Sequence, residues 1–391
     1  MAVDLGVVTP FPPRLTGIGQ YGYHLCRALA RSGAFDRVVV LAEGGPPAGG
    51  PEAGVLTEWR CWPYGHPAVG IRLLAALARA RPQVVWVNFG FSMFGPSPAA
   101  LLSGLLGLTV ASLRGMSMVI TLHEPGLLEV PLPADLGVCP LSRAALRRLA
   151  GWVARLGVLA VPLRTAADRL HRRFPGATVV YLPHGTFDPP EALPEPLTPN
   201  VLFFGFIAPY KGLQTLVRAF EQLRPANPTL TLEVAGADHP RFSEYGPRLR
   251  RTLGAVPGLR WTGPVPEGGL RELFRRSTLL VLPYRASLGA SSVLYRAAAW
   301  GRPVVASDLP ALREAATDAG LRVNWVPPGD VESLAETLAG LLAWSELRTE
   351  QARQNMQAMS PMTLEAVAGA YGRLLQSPCR KPLPCTVPEW R

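Results

Sequence analysis

The chain has almost no lysine: of its 39 basic residues only Lys211 and Lys381 carry an ammonium, and the rest are arginine. Such a bias reads as a GC-rich genome and makes each surviving lysine informative, because a compact point charge differs chemically from a planar guanidinium fork. Cysteine is sparse and unpatterned. Cys26, Cys61, Cys139, Cys379 and Cys385 form no C-x-x-C pair, and no histidine stands at zinc-ligand spacing from them. Neither a disulfide framework nor a structural metal is indicated. The longest apolar run, Ala99 to Leu113, is interrupted by Ser103, Gly104 and Gly107 and ends at Arg114. That is short of the roughly 20 residues a membrane span requires. The first strand pattern begins almost at Met1 with no basic-then-apolar leader before it. With the scattered thiols, this points to a reducing cytoplasm. Charge blocks and polar low-complexity runs are absent as well, so a disordered chain is not expected.

What remains is a globular composition, 48% hydrophobic and 17% charged, over 391 residues. That length suits two domains, each able to bury its own core. The net charge of +11 (39 basic minus 28 acidic) suits phosphates, nucleic acid or anionic lipid without choosing among them.

Short apolar runs at Asp4 to Val8, Val38 to Leu41, Val84 to Val87, Met118 to Leu122, Leu156 to Val161 and Val179 to Leu182 read as buried parallel strands. Helical patterns at Tyr21 to Ser32, Ala68 to Arg81 and Ser142 to Leu156 separate them. This rhythm predicts a Rossmann-like, doubly wound first domain over 1–187. The run 188–200 holds five prolines in thirteen residues and reads as a linker. The rhythm restarts with Val201 to Phe204, Leu230 to Ala235, Leu259 to Thr262, Leu279 to Leu282, Pro303 to Ala306 and Leu321 to Trp325, predicting a second Rossmann-like domain over 201–360. A helix in 361–376, at Thr363 to Gln376, is expected to pack back on the first domain, with a loose tail over 377–391. Two such domains would face each other across a cleft at the carboxyl ends of their strands, where ligands of open α/β folds bind.

Four motifs lie at those strand ends. After the first strand, Gly17, Ile18 and Gly19 lead into a helix, and glycine there lets backbone amides approach an anion or a sugar hydroxyl; a flexible turn is the alternative. The run T-L-H-E places His123 and Glu124 at the end of the fourth predicted strand. The histidine could bond a sugar hydroxyl or a leaving oxygen, or be a loop histidine satisfied by backbone. In G-F-I-A-P-Y-K-G-L, Gly205 ends a strand and Lys211 and Gly212 open the next helix, a geometry suited to a diphosphate. The last is the loop Ala286 to Ser292, where Gly289, Ala290, Ser291 and Ser292 can present amides and hydroxyls at a helix start; an ordinary strand-to-helix turn is its alternative.

At these residues the chain resembles the family 4 glycosyltransferases, a retaining GT-B family, over essentially its whole length. The resemblance rests on the ordered set: the glycine loop, T-L-H-E, P-H-G at Pro183 to Gly185, P-Y-K-G-L, A-A-A-W-G-R-P-V-V-A-S, and the closing L-R-E-A-A-T-D-A-G-L-R-V and V-P-P-G-D. It implies a UDP- or GDP-sugar donor held by the second domain, an acceptor held by the first, and no required metal or other cofactor. It further implies Lys211 on the donor phosphates, His123 near the transferred sugar, the first glycine loop near phosphate and acceptor, and Gly289 to Ser292 near the donor. Two departures stand out. Phe206 occupies a position where the family often has arginine, leaving a phosphate cation to come from elsewhere, with Arg285 as the candidate. Leu288 and Arg296 occupy positions where the family often has two glutamates, the first facing the donor sugar and the second the ribose. A grip by Ser291 and Ser292 is the expected substitute.

The leading expectation is retaining transfer of a sugar to an unidentified acceptor; the rival is a GT-B relic that binds a nucleotide sugar or a partner transferase without turnover. Nucleic-acid binding is not expected, because the basic residues are dispersed and no zinc finger or recognition helix is present. The segment Leu141 to Leu156, with Arg143, Arg147, Arg148 and Arg155 among leucines, Trp152 and Val153, could dock on anionic lipid at the inner membrane face or be a Rossmann helix with a solvated basic side.

Overall fold

A computed structural model describes residues 3–14, 16–44, 54–128 and 143–377. Cys139, Cys379, Cys385, Lys381 and all but the first residue of the expected tail lie outside them. The described residues form two compact units, one running to His184 and resuming at Leu364, the other Gly185–Thr363.

The first unit carries β1 (Asp4–Val8), β2 (Arg37–Glu43), β3 (Leu56–Trp62), β4 (Val84–Phe89), β5 (Ser117–Leu122), β6 (Val158–Val161) and β7 (Val179–Tyr181). Its helices are α1 (Gly17–Arg31), α2 (Val69–Ala80), α3 (Pro98–Leu113), α4 (Arg143–Val153) and α5 (Arg164–Arg173). The strands pair in parallel in the order β3-β2-β1-β4-β5-β6-β7. Val7, Val8, Val38, Val40, Val85 and Val87 are fully buried, as expected of strands covered by helices on both faces.

The second unit carries β8 (Asn200–Phe204), β9 (Thr231–Ala235), β10 (Leu259–Gly263), β11 (Leu279–Leu282), β12 (Val304–Ser307) and β13 (Asn324–Val326), ordered β10-β9-β8-β11-β12-β13. Its helices are α6 (Leu213–Leu223), α7 (Tyr245–Leu253), α8 (Glu267–Arg275), α9 (Ser292–Ala299), α10 (Pro310–Asp318), α11 (Val331–Ala343) and α12 (Ser345–Met359). Both sheets are thus doubly wound, the expected fold class. In each, the chain reverses its direction of travel between the first and fourth strands of the unit, β1/β4 and β8/β11. Crevices at such switch points collect ligands because the loops on either side diverge.

The proline-rich run lies along the second unit. Glu191 N–H donates to Ala299 O at 2.8 Å and Arg302 Nη2 to Pro194 O at 2.7 Å, while Arg271 pairs with Glu191 and Arg348 with Glu195. The last helix, α13 (Leu364–Gln376), packs on the first unit, where Tyr371 Oη sits 2.8 Å from Thr121 Oγ1.

In the first unit β3, α3 and α5 were not among the elements read from the sequence, and for β3 and α3 there is a physical reason. β3 is an edge strand only partly buried, so its L-T-E-W-R-C-W sequence lacks the apolar run of its neighbours. α3 is apolar on nearly every side and has no 3.6-residue contrast to read. It packs backbone-close on α2: a Cβ on Gly70 would sit 2.0 Å from Ser103 O, and one on Gly107 2.5 Å from Gly70 O. The amphipathic pattern read in α4 is spent inside the unit. Leu146, Ala150 and Val153 are buried, Trp152 Nε1 donates to Thr109 Oγ1 at 2.8 Å, and Arg147 and Arg148 stay exposed. Its apolar side is thus packed within the unit and these arginines face outward, the arrangement of the second of the two readings of this helix.

Candidate functional site

At the β1/β4 switch point, Thr16 caps α1, its Oγ1 accepting from Gly19 N–H at 2.9 Å. Gly19 is required there because a Cβ would meet Thr16 Oγ1 at 2.7 Å and Pro10 O at 3.2 Å. Gly17 is exposed and open, with nothing within 4 Å of its virtual Cβ. Ile18 sits over Gly90, at whose position any Cβ would fall 2.1 Å from Ile18 Cδ1. The loop before the cap is braced from beneath. Glu43, 2% exposed, accepts from Phe11 N–H at 3.0 Å, and Arg60 donates to the carbonyls of Phe11, Pro12 and Glu43. Burial pushes the Glu43 carboxyl above its ordinary range despite nearby Arg14.

His123 and Glu124 follow β5. His123 Nε2 lies 2.5 Å from Asn88 Oδ1, and its ring meets Tyr21 edge-on at 4.9 Å, with His184 6.5 Å away. Lost hydration, aided by His184, pushes its pKa down to about 3, so the ring is neutral at physiological pH. Glu124 Oε2 accepts from Phe91 N–H at 3.1 Å, tying the β5 end to the β4 end. Asn88, at 0% exposure, completes this set and was not singled out from sequence. An asparagine inside an otherwise apolar strand, V-V-W-V-N-F, was the available signal.

At the β8/β11 switch point, Gly205 (φ 143°) ends β8 and a one-turn 3-10 helix, Pro209–Lys211, leads to Gly212 (φ 67°) at the cap of α6. Gly212 is doubly constrained, since a Cβ would also meet Pro283 O at 1.8 Å. Lys211 Nζ lies 3.6 Å from the centroid of the Tyr284 ring and 5.5 Å from that of Tyr210. Withdrawal from water lowers its pKa below the usual lysine range. Among the described residues no carboxylate pairs with it.

Phe206, where a cation was missed, packs against His239 at 5.4 Å. His239 is itself pushed down to about 4 by burial and by the charges of Lys211 and Arg241. Arg285 is exposed directly after Tyr284, its N–H bonded to Tyr210 O at 2.8 Å. Beside Pro209, a shallow hollow is lined by Arg241, Arg248 and Arg251 against one carboxylate, Glu244, with Phe242 and Tyr245, so its charge is net positive.

The small-residue loop closes on itself through Ser287 Oγ to Gly289 O at 3.2 Å, and Gly289 is buried while Ala290 is half-buried. Ser291 starts α9 in extended conformation without capping it, and its hydroxyl neighbours the Tyr284 phenol, whose pKa burial raises. Ser292 is the first helical residue. Leu288 is half-buried. Arg296 is turned inward: 5% exposed, 2.7 Å from Asp188 Oδ2, paired with Glu267, and near the Phe187 and Trp300 rings. One switch point thus gathers Gly17, Ile18, Gly19, His123 and Glu124, the other Gly205, Lys211, Gly212, Arg285 and the loop from Gly289 to Ser292. Arg296 is engaged behind the loop. Among the described residues no cluster of three His, Cys, Asp or Glu could hold a metal ion.

Comparison with known proteins agrees with this architecture. The profile of the family described as "Glycosyl transferases group 1" matches residues 198–343. The chain is 31% identical over 260 residues to D-inositol 3-phosphate glycosyltransferase 1 of Catenulispora acidiphila, covering 62% of each. It is 29% identical over 226 residues to the phosphatidyl-myo-inositol mannosyltransferase of Mycobacterium leprae, covering 55% of this chain and 59% of that one. The match spans about six tenths of the length of these relatives. Among solved structures, sucrose-phosphate synthase of Thermosynechococcus elongatus superposes with a TM-score of 0.74 at 17% identity, covering 95% of this chain and 98% of that one. Anabaena HepE, in complex with UDP and glucose, gives 0.69 at 16% identity, covering 96% and 100%. The chain is therefore a two-unit α/β protein of GT-B fold whose residues 198–343 match the profile of the group 1 glycosyl transferases.

Proposed function

We propose that the chain transfers a sugar, with retention of configuration, from a nucleoside-diphosphate sugar held at the β8/β11 switch point to a hydroxyl acceptor held by the first unit. The observation that carries this reading is Lys211. The ammonium is half-buried over two aromatic faces and no carboxylate among the described residues pairs with it, so its place in the fold suits an anion supplied from outside. A diphosphate leaving group meets that need, and its charge grows as the glycosidic bond to it breaks. The loop from Gly289 to Ser292 and the uncapped start of α9 face the same end of the sheet, with Arg285 and the arginines beside Pro209 as further cations. We assign no protein nucleophile. The leaving oxygen and the incoming hydroxyl on one side of the sugar suffice for retention if both are held in place. Anabaena HepE was solved with UDP-glucose, which makes UDP-glucose the first donor to test.

Lys211→Ala is expected to lower transfer on the order of 100-fold, the scale seen when one charge-stabilising donor is removed. Unchanged turnover would remove the role. The inward turn of Arg296 favours a second reading, a protein that binds the nucleotide sugar without turning it over. Binding without transfer or hydrolysis across a panel of hydroxyl acceptors would select it.

For the acceptor, relatives named for inositol phosphate and phosphatidyl-inositol substrates suggest an anionic polyol, free or lipid-borne. From Trp59 to His123 the chain has no Asp or Glu but five arginines. Along α3, Leu102, Leu106 and Leu113 are 43%, 55% and 83% exposed, and Ile71 on α2 is 71% exposed. These exposed leucines support a peripheral contact with an anionic membrane at this face of α2 and α3. Leu106→Glu should reduce flotation with anionic vesicles and leave the weaker signal with zwitterionic vesicles unchanged. Equal flotation of both proteins would count against it, and a concentration-dependent dimer lost in the variant would assign the face to a second copy.

A further inference from the structure

His123 has two ring nitrogens, and the surrounding atoms decide which one carries the proton. Thr9 Oγ1 donates its hydrogen to Pro10 O at 2.8 Å and can therefore only accept from Asn88 Nδ2, also 2.8 Å away. Ile18 O, a carbonyl, likewise only accepts, and lies 2.8 Å from the same Nδ2. Both amide hydrogens of Asn88 are thereby committed, and its Oδ1 faces His123 Nε2 at 2.5 Å. A carbonyl-type oxygen can only accept, so Nε2 must be the protonated nitrogen. Nδ1 is left with its lone pair, and among the described residues it meets no donor. The clamp is closed on all sides: Asn88 is fully buried, and a Cβ on Gly22 would fall 2.3 Å from Thr9 Oγ1 and 2.8 Å from Asn88 Nδ2.

We propose that Asn88 is a positioning residue that fixes His123 in its Nε2–H tautomer, so that Nδ1 accepts a hydrogen bond from a hydroxyl of the bound sugar or polyol. This rests on the reading of His123 as a ligand contact, and it sharpens it. A neutral ring offering a lone pair can orient a hydroxyl but repels a leaving phosphate oxygen, so of the two partners open to His123 from sequence the hydroxyl is the one this geometry serves. Because Asn88 also holds Ile18 O, it links the glycine loop to the histidine, and the two should move together when a ligand enters. The ring does not take the proton in this scheme; it positions the hydroxyl that bears it.

The test is the tautomer itself. In the full chain labelled on its six histidines, long-range nitrogen–proton spectra distinguish a bare from a protonated ring nitrogen, with His123→Gln identifying the signal. Between pH 6 and 8 the unsubstituted protein should show His123 neutral, with bare Nδ1 and protonated Nε2. Asn88→Ala should shift both nitrogens toward the average of two exchanging tautomers. Asn88→Asp, which faces Nε2 with a carboxylate, should bring His123 into the titratable range. In transfer assays Asn88→Ala should lower kcat/KM on the order of 100-fold, leaving the Kd for free nucleoside diphosphate unchanged. A protonated Nδ1, or a His123 spectrum indifferent to both substitutions, overturns the proposal. If Asn88→Ala fails to fold, the unsubstituted spectrum and Asn88→Asp still decide it. Since the spectra require no turnover, failure of the transferase reading and failure of the Asn88 assignment are separately visible.

Discussion

Three titratable side chains, His123, His239 and Lys211, have their charged forms disfavoured by lost hydration, and each has a consequence for pH. His123, with a pKa near 3 when folded, binds fewer protons than the same residue in the unfolded chain, where it titrates near its ordinary 6.5. Its contribution to stability is complete above pH 6.5 and is lost as pH falls from there toward 3. His239, lowered to about 4, acts with the same sign over a narrower window. Denaturant melts of His123→Gln should therefore lose less stability between pH 6.5 and 4 than melts of the unsubstituted chain. An identical slope in both would show that His123 is hydrated in the folded protein. For Lys211 the sign is reversed in binding: an anion restores the charged form, so diphosphate affinity should come with proton uptake wherever the free lysine is partly deprotonated. Arg296 illustrates the limit of reading a residue by its position in a pattern. The pattern shows that a family glutamate is replaced, but not that the arginine in its place is held by Asp188 and Glu267.

At the level of elements, the geometry of the strand ends depends on a few glycines that let backbone approach backbone. Gly212 is the strictest case, combining left-handed φ with a carbonyl 1.8 Å from any Cβ. Gly212→Ala should cost about 3 kcal/mol in denaturant unfolding. Gly17→Ala, in open space, should change stability by less than about 0.5 kcal/mol. The buried strands and the helices flanking them were legible because parallel strands covered on both faces are continuous apolar runs. β3 and α3 were not, the first for its polar edge and the second for its lack of a polar face. The apolar stripe of α4 was visible in sequence, but periodicity reports that a stripe exists and not which surface it meets. Here it meets the core, and α3 presents leucines to solvent instead.

For the molecule as a whole, the same strand order occurs twice, and in each unit the sequence motifs fall at the switch point of its sheet. That correspondence was readable because a strand end followed by glycine and a helix start is a local pattern. The partners of those motifs were not readable. Asn88 reaches His123 from 35 residues away, and Tyr284, beyond the end of the adjacent strand β11, lies by Lys211 from 73 residues away. Such contacts depend on which strands become neighbours, and single motifs carry no such information. The charge distribution follows the same division: an acid-free stretch from Trp59 to His123 lies in the first unit and a half-buried lysine without a carboxylate partner among the described residues in the second, both suited to the anions of the proposed reaction. The measurement that tests this account most directly is calorimetric titration of the purified chain with UDP, GDP, ADP and dTDP sugars, beside Lys211→Ala. The account predicts that one of them binds selectively and that the substitution weakens it; binding that is unaffected by loss of the ammonium, or absent for every nucleotide sugar, would contradict it.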